Sequence, residues 1–173
     1  MDTTKLPSAI KGILERRRRA RVTFMLSKVA LSERPNVIDI GCGISGRSFE
    51  DYVPEDWRIL GVDVVPEHRV QHTHPGFTYR REDAQHLECF GDREFDLAVS
   101  VGMLEHITEE PTFSRIVAQI RRVARQYIVV VPDRDLVLVR LGKTPAELRP
   151  NLVAVLASII DEFPVRPLPA DLR

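Results

Sequence analysis

Residues 39–46 read Asp39-Ile40-Gly41-Cys42-Gly43-Ile44-Ser45-Gly46, or DIGCGISG. They close a short apolar run, Asn36–Cys42, entered through Pro35 and ended by glycine. That is the pattern of a strand buried on both faces. Glycines at the end of such a strand let the backbone turn sharply and approach a ligand closely. Two spacings overlap in this loop. G-x-G-x-x-G seats a pyrophosphate at the start of the following helix. D-x-G-x-G instead sets a carboxylate, Asp39, two residues before the first glycine. There it suits a cationic group and would repel a pyrophosphate. The structural alternative is that Asp39 bonds the loop's own amides.

Working outward, four more strands are expected. They are Trp57–Val65 (closed by Pro66), Phe77–Asp83, Glu94–Gly102 and Gln126–Pro132. Between the fourth and fifth, Phe113, Ile116, Val117, Ile120 and Val123 fall at helical spacing. Thr108 is the expected N-cap, with Glu109 and Glu110 in the first turn. Residues 8–31 read as an N-terminal helix whose stripe is Val22, Met25, Leu26 and Val29. Strands alternating with helical or short connections give an α/β domain built on a doubly wound, mainly parallel sheet. The connections PEHRVQHTHPG (66–76) and AQHLECFGDR (84–93) are too short for full crossover helices, so the fold is a trimmed one. After Pro132 the segment RDLVLVRLG suits either an edge strand or a helix start. Arg149–Phe163 reads as an apolar helix, and the proline-rich end as extended. The expected organisation is one domain: an N-terminal helix within 1–34, a cofactor-binding core over 35–132, and a C-terminal helix and tail over 133–173, with the sheet trimmed after its fifth strand.

The 173-residue length suits a single domain with its own core. Lys plus Arg and Asp plus Glu both number 25, and this balance argues against a polyanion binder. Cys42 and Cys89 form no C-x-x-C, so a reducing, cytoplasmic setting is expected. The first residues lack the apolar core of a signal peptide. Leu152–Ile160 is too short to cross a bilayer, which needs about 20 residues. The run Glu15–Arg21 (ERRRRAR) reads as a solvated helix face, the alternative being a contact to phosphate or to an acidic substrate.

The later strand ends decide between the two spacings. Asp63 follows Gly46 by 17 residues, near the roughly 20 expected of a ribose-binding acid, which suits either ligand. Asp83-Ala84 supplies a carboxylate that can accept from an adenine amino group, beside an amide that can donate to a ring nitrogen. With FDLAVSVGMLEHI (Phe95–Ile107) in place, the chain resembles the class I S-adenosylmethionine-dependent methyltransferases. It is most similar to the group that modifies small molecules, lipids and glycans. The resemblance spans roughly Val37–Pro132 and rests on VIDIGCG, ILGVDVV, EDA and FDLAVSVGMLEHI. A nicotinamide reading leaves the last two motifs without a role.

The resemblance implies a Rossmann-like parent sheet of seven strands, with S-adenosylmethionine lying across the strand carboxyl ends. It implies Asp39, Gly41, Cys42 and Gly43 on the methionine side, and Asp63 with Val64 at the ribose. Asp83 and Ala84 fall at the adenine, Ser100 and Val101 at the amino group, and Met103 and Leu104 beside the adenine. The chain departs from the family in two places: Gly46 comes one residue later than in G-x-G-x-G, and two parent strands are not legible after the fifth.

Methyl transfer is an in-line displacement governed by positioning and exclusion of water. A base is needed only where the acceptor must lose a proton. Glu105 and His106 are the nearest titratable groups, His106 the better base because histidine titrates near neutrality. Their structural alternative is to cap the next helix or order the loop. The histidines of HRVQHTH (68–74) lack an acidic or thiol partner nearby, so no metal is expected. Cys42 reads as a packing residue and His86 as a surface one. No Asn/Asp-Pro-Pro-aromatic motif follows the fourth strand. The expected acceptor is therefore a small molecule, lipid or glycan, and nucleic acid is not expected. The alternative is a non-catalytic methyltransferase-like subunit acting as a binding or scaffold partner, with the C-terminal apolar helix able to form a homo-oligomer contact.

Overall fold

The computed structural model describes residues 8–45, 49–131 and 136–140. Its elements are α1 (Ser8–Leu26), β1 (Asn36–Ile40), β2 (Arg58–Asp63), β3 (Phe77–Arg81), β4 (Phe95–Val101), α2 (Glu110–Val123), β5 (Ala124–Val131) and β6 (Leu136–Arg140). They form one sheet in the order β3-β2-β1-β4-β5-β6. The first five strands pair in parallel. The doubly wound, mainly parallel sheet expected from the sequence is present. RDLVLVRLG resolves as an edge strand: β6 runs antiparallel to β5, with Val131 opposite Leu136 and Tyr127 opposite Arg140. Gly46, the segment 149–163 and the proline-rich end lie outside the described residues, and with them the proposed oligomer contact.

Side chains alternate across each strand, so a strand buried on both sides feeds two cores. Ile38, Ile40, Val62, Ala98 and Val129 face Phe113, Ile116 and Ile120 of α2. Val37, Ile59, Leu97, Val99 and Ile128 pack on the other side with Val22 and Met25 of α1 and with Phe49 and Trp57. These residues are almost wholly excluded from water.

Two element boundaries differ from the sequence reading. α1 ends at Leu26 rather than 31, because the Ser27 hydroxyl donates to the Phe24 carbonyl at 2.7 Å and the chain turns there. Val29 still packs on the α1-side core, from outside the helix. Thr108 is not the N-cap of α2. The helix starts at Glu110 with Glu109 as cap residue and no side-chain cap bond. Pro111 explains this, since proline is tolerated only in a helix's first turn.

Polar side chains replace the missing crossover helices. Arg122 of α2 donates to the carbonyls of Leu87 (2.6 Å) and Phe90 (2.8 Å) and pairs with Asp92 at 3.0 Å. One guanidinium thus fixes the whole β3–β4 connection. Gln126 clasps Ala30 through both its backbone groups, at 3.0 and 2.6 Å, and ties the chain after α1 to β5. Asp96, the acid of the FD pair, accepts from the Asn36 amide at 3.0 Å and from Arg125 at 3.2 Å, which aligns the starts of β1, β4 and β5.

Leu97 is fully buried in the central strand. Leu97→Ala should cost about 2–5 kcal/mol in denaturant-measured stability. Ile13→Ala, on the exposed face of α1, should change it by less than about 0.5 kcal/mol.

Candidate cofactor and acceptor site

The chain leaves β1 for β2 on one side, and later β4 for β5 on the other. The carboxyl ends of β1 and β4 therefore flank a topological switch point, where open α/β sheets bind ligands. The residues singled out from the sequence converge there. Gly41 and Gly43 have φ of +77° and +70°, the left-handed region that glycine enters without strain. Gly41 donates to the Val62 carbonyl at 2.8 Å, which turns the loop over the end of β2. A Cβ on Gly41 would fall 2.6–2.7 Å from the Met103 side chain, whereas one on Gly43 would meet nothing within 4 Å. Gly41 is thus required by packing, and Gly43 borders open space.

Asp63 ends β2 and grips this loop. Its carboxylate accepts from the Gly43 amide at 2.9 Å and the Val65 amide at 3.1 Å. Each oxygen retains a further lone pair for a hydroxyl donor. Tyr79 donates its hydroxyl to the carbonyls of Asp63 (2.9 Å) and Val65. Burial, with Cys42 and Asp63 nearby, pushes that phenol up to about 12, so it stays a donor. Val64 is exposed and, with Ile44, forms an apolar rim beside the loop.

Asp83 accepts from the Gln85 amide at 2.8 Å, a local turn that leaves its other oxygen near only the Gln85 side chain. Glu82 donates its amide to the Asp63 carbonyl at 3.0 Å, which brings the Asp83 turn against the end of β2. Ala84 packs on the α2-side core together with Met103, and Leu104 is buried in that core. Ser100 is buried with a hydroxyl that finds no partner among the described residues, and Val101 lies half-buried after it.

Asp39 is 1% exposed, and neither of its oxygens has a hydrogen-bond partner among the described residues. It does not bond the loop's amides there, which was the structural alternative. Burial, then the neighbouring Glu50, pushes its carboxyl well above the usual range. A buried carboxyl in this condition holds its proton until a cation arrives. The same burial raises the Cys42 thiol, so Cys42 is a packing group and not a ready nucleophile.

Glu105 and His106 lie in the 3-10 turn Leu104–His106 after β4. Glu105 points inward and His106 outward, at 13% and 75% side-chain exposure, with 3.8 Å between His106 Nε2 and Glu105 Oε1. From α1, Arg16, Arg17 and Arg19 are exposed, but Arg18 and Arg21 are half-buried. The ERRRRAR face is therefore split. Burial and Arg18 lower the Arg21 guanidinium, while Tyr52 and Glu105 raise it. This sets Arg21 near the β4 turn.

Sequence reading missed Glu50, Tyr79 and the special position of His72. The three histidines of HRVQHTH part company. His68 is exposed, His74 bonds the Pro54 carbonyl at 3.0 Å and the Gly76 amide at 3.1 Å, and His72 turns under the glycine loop. Only the mixed polar and histidine content of that connection hinted at it.

The donors and acceptors present fit S-adenosylmethionine. A buried acid with no cationic partner among the described residues suits its ammonium, Asp63 its ribose hydroxyls, Asp83 and the Ala84 amide its adenine, and the open face at Gly43 its close approach. Gly41→Ala should lose stability through both strain and the Met103 clash. Gly43→Ala should lose only the roughly 1–2 kcal/mol of a left-handed alanine while weakening S-adenosylhomocysteine binding. Thermal unfolding and calorimetry separate the two variants.

The family described as "Methyltransferase domain" matches residues 38–129. The chain is 33% identical over 95 residues to N-demethylindolmycin N-methyltransferase of Streptomyces griseus, covering 51% of this chain and 39% of that relative. A solved structure from Anabaena variabilis, titled for a methyltransferase of an antibiotic biosynthesis pathway, aligns with TM-score 0.55 at 18% identity, over 88% of this chain and 56% of that one. A Haloferax volcanii protein solved with the Trm112 methyltransferase activator aligns with TM-score 0.50 at 19% identity, over 70% of this chain and 56% of that one. The chain thus spans well under half of the curated relative and a little over half of these structures, whose likeness shows the fold. With the family matching more than half of the sequence, over the strands and loops that form the site, the chain belongs to the methyltransferase domain family, whose cofactor is S-adenosylmethionine.

Proposed function

We propose that the protein transfers a methyl group from S-adenosylmethionine to a small-molecule acceptor. The observation that carries this is Asp39: a buried carboxyl that meets no cationic or amide donor among the described residues, only the neighbouring acid Glu50, beside a glycine turn open to a ligand. A family member that had lost its cofactor would have no use for such a group, whose burial unpaired costs stability. This favours an active enzyme over a scaffold subunit. The relative named N-demethylindolmycin N-methyltransferase supports a small acceptor.

Bound S-adenosylmethionine supplies a methyl carbon already activated by its sulfonium. The chain's own residues do the rest. Asp39 gives up its proton and receives the ammonium. Asp63 accepts the ribose hydroxyls while still holding the Gly43 amide, so cofactor and loop are positioned together. Ala84 and Met103 offer apolar surface to the adenine. The turn carrying Glu105 and His106 borders the acceptor side. His106, exposed and free to reach solvent, takes the proton of an acceptor that must lose one, and Glu105 orients it. Arg21, within electrostatic reach of Glu105, suits an acceptor that bears an anionic group.

The test is transfer of labelled methyl from S-adenosylmethionine to a panel of amines, phenols and carboxylic acids. Wild type should methylate one class of them. His106→Asn should keep S-adenosylhomocysteine affinity within about twofold and lose roughly 100-fold in kcat. Unchanged turnover in His106→Asn would remove it from the chemistry. Tight cofactor binding with no transfer to any class would support the scaffold role instead.

A further inference from the structure

Beneath the glycine loop lies a histidine whose two ring nitrogens each face an oxygen among the described residues. His72 Nδ1 sits 3.0 Å from Glu50 Oε1, an ion-pair contact, and the two side chains are 1% and 0% exposed. His72 Nε2 sits 3.4 Å from the Gly43 carbonyl oxygen. A neutral imidazole has one N–H and one lone pair. Either neutral tautomer would turn a lone pair toward a buried carboxylate or a buried carbonyl. The Nδ1 contact is at ion-pair distance without hydrogen-bond geometry, so it stabilises the ring through charge, and the imidazolium alone carries that charge while donating from Nε2 to the Gly43 carbonyl.

The surroundings hold the ring in place. It stacks on Phe77 with centroids 4.1 Å apart and planes 4° from parallel. Phe77 is itself pressed so close to Gly61 that a Cβ there would fall 2.3 Å from the ring. One residue earlier, Gln71 donates its amide to the Ile44 carbonyl at 2.6 Å. The β2–β3 connection therefore braces consecutive carbonyls of the glycine loop, one through main chain and one through a side chain.

We propose that His72 is a positioning residue for cofactor binding: as a buried imidazolium between Glu50 and the Gly43 carbonyl, it holds the glycine loop in its ligand-ready shape, and loss of its proton weakens affinity for S-adenosylmethionine and S-adenosylhomocysteine. The charged groups facing it are Glu50 and Asp51. Behind Glu50 lies Asp39, which faces Asp63 in turn. Burial disfavours the imidazolium, but Glu50 and the Gly43 carbonyl outweigh it, so His72 titrates above its ordinary value. The bridge is therefore intact below the ordinary histidine range of about 6.5 and is lost as pH rises through the raised value. Asp39 acts in the opposite direction. As pH falls it keeps its proton, and the cofactor's ammonium must displace it. His72 thus governs the alkaline limb of binding and Asp39 the acid limb.

The test is calorimetry of S-adenosylhomocysteine binding between pH 6 and pH 9. It uses no acceptor, so it is independent of the methyl-transfer proposal. Wild-type affinity should fall by roughly tenfold across the alkaline limb, the effect of about one pKa unit of linkage. His72→Gln, an uncharged donor, should not show this fall. The ligand's own amino group titrates alike in both proteins, so the difference isolates His72. Ring NMR of the wild type should show His72 titrating above the ordinary histidine value of about 6.5 in the free protein, and higher again with ligand bound. The same alkaline fall in His72→Gln, or a His72 ring that titrates at or below the ordinary histidine value, would overturn the proposal. Should the variant fail to fold in thermal melts, the wild-type ring titration decides by itself.

Discussion

A carboxyl group buried at the end of a central strand, with no cationic partner among the described residues, is the constraint on which this structure turns. Asp39 sits where an apolar residue would pack at no cost, since its strand neighbours Ile38 and Ile40 are fully buried aliphatics. Burying a carboxyl unpaired disfavours folding by an amount comparable to several good core contacts. Placing Glu50 beside it compounds the burden, because two adjacent carboxyl groups cannot both ionise cheaply. On the proposed function, the ammonium of the S-adenosyl cofactor relieves this burden. Cation recognition in a dry pocket is strong for the same reason that an empty pocket is costly.

The rest of the architecture serves that pocket. A parallel sheet has its strand ends on one side, and the order β3-β2-β1-β4-β5 puts the ends of β1 and β4 together at the switch point. Gly41 lets the chain turn beneath Met103, and Asp63 anchors Gly43 from the neighbouring strand end. Connections too short for helices are held by single side chains instead. Arg122 fixes one and, on the proposal above, His72 braces the other, so both connections rest on polar contacts whose strength depends on charge. This ties the geometry of the site to protonation more closely than crossover helices would.

Much of this was legible in the sequence, for identifiable reasons. Strands buried on both faces are continuous apolar runs, and all five parallel strands were located within a few residues. α2 was legible because Phe113, Ile116, Val117, Ile120 and Val123 keep a helical period. Its start was misplaced because the pyrrolidine of Pro111, not a capping hydroxyl, sets the first turn. RDLVLVRLG stayed open between strand and helix because five apolar-rich residues carry too little periodicity to choose. The edge of β5 settles it through backbone pairing. The glycine loop, Asp39, Asp63 and Asp83 are legible as candidates because each lies at or just after the carboxyl end of a strand. Glu50 and His72 are not, since their meeting is tertiary. They are 22 positions apart in sequence, on connections without a period, and nothing in either segment signals that the other lies against it.

The central claim is that the glycine loop and its buried acid form a site for the cationic S-adenosyl cofactor and not for a dinucleotide. Calorimetry of wild type and Asp39→Asn with S-adenosylmethionine, S-adenosylhomocysteine and NADH tests it most directly. The account predicts micromolar binding of both adenosyl ligands by wild type, no binding of NADH, and a loss of roughly 10- to 100-fold in Asp39→Asn, as expected when a charged hydrogen bond is removed. Binding of NADH in preference, or adenosyl affinity indifferent to Asp39→Asn in a protein that melts normally, would contradict it.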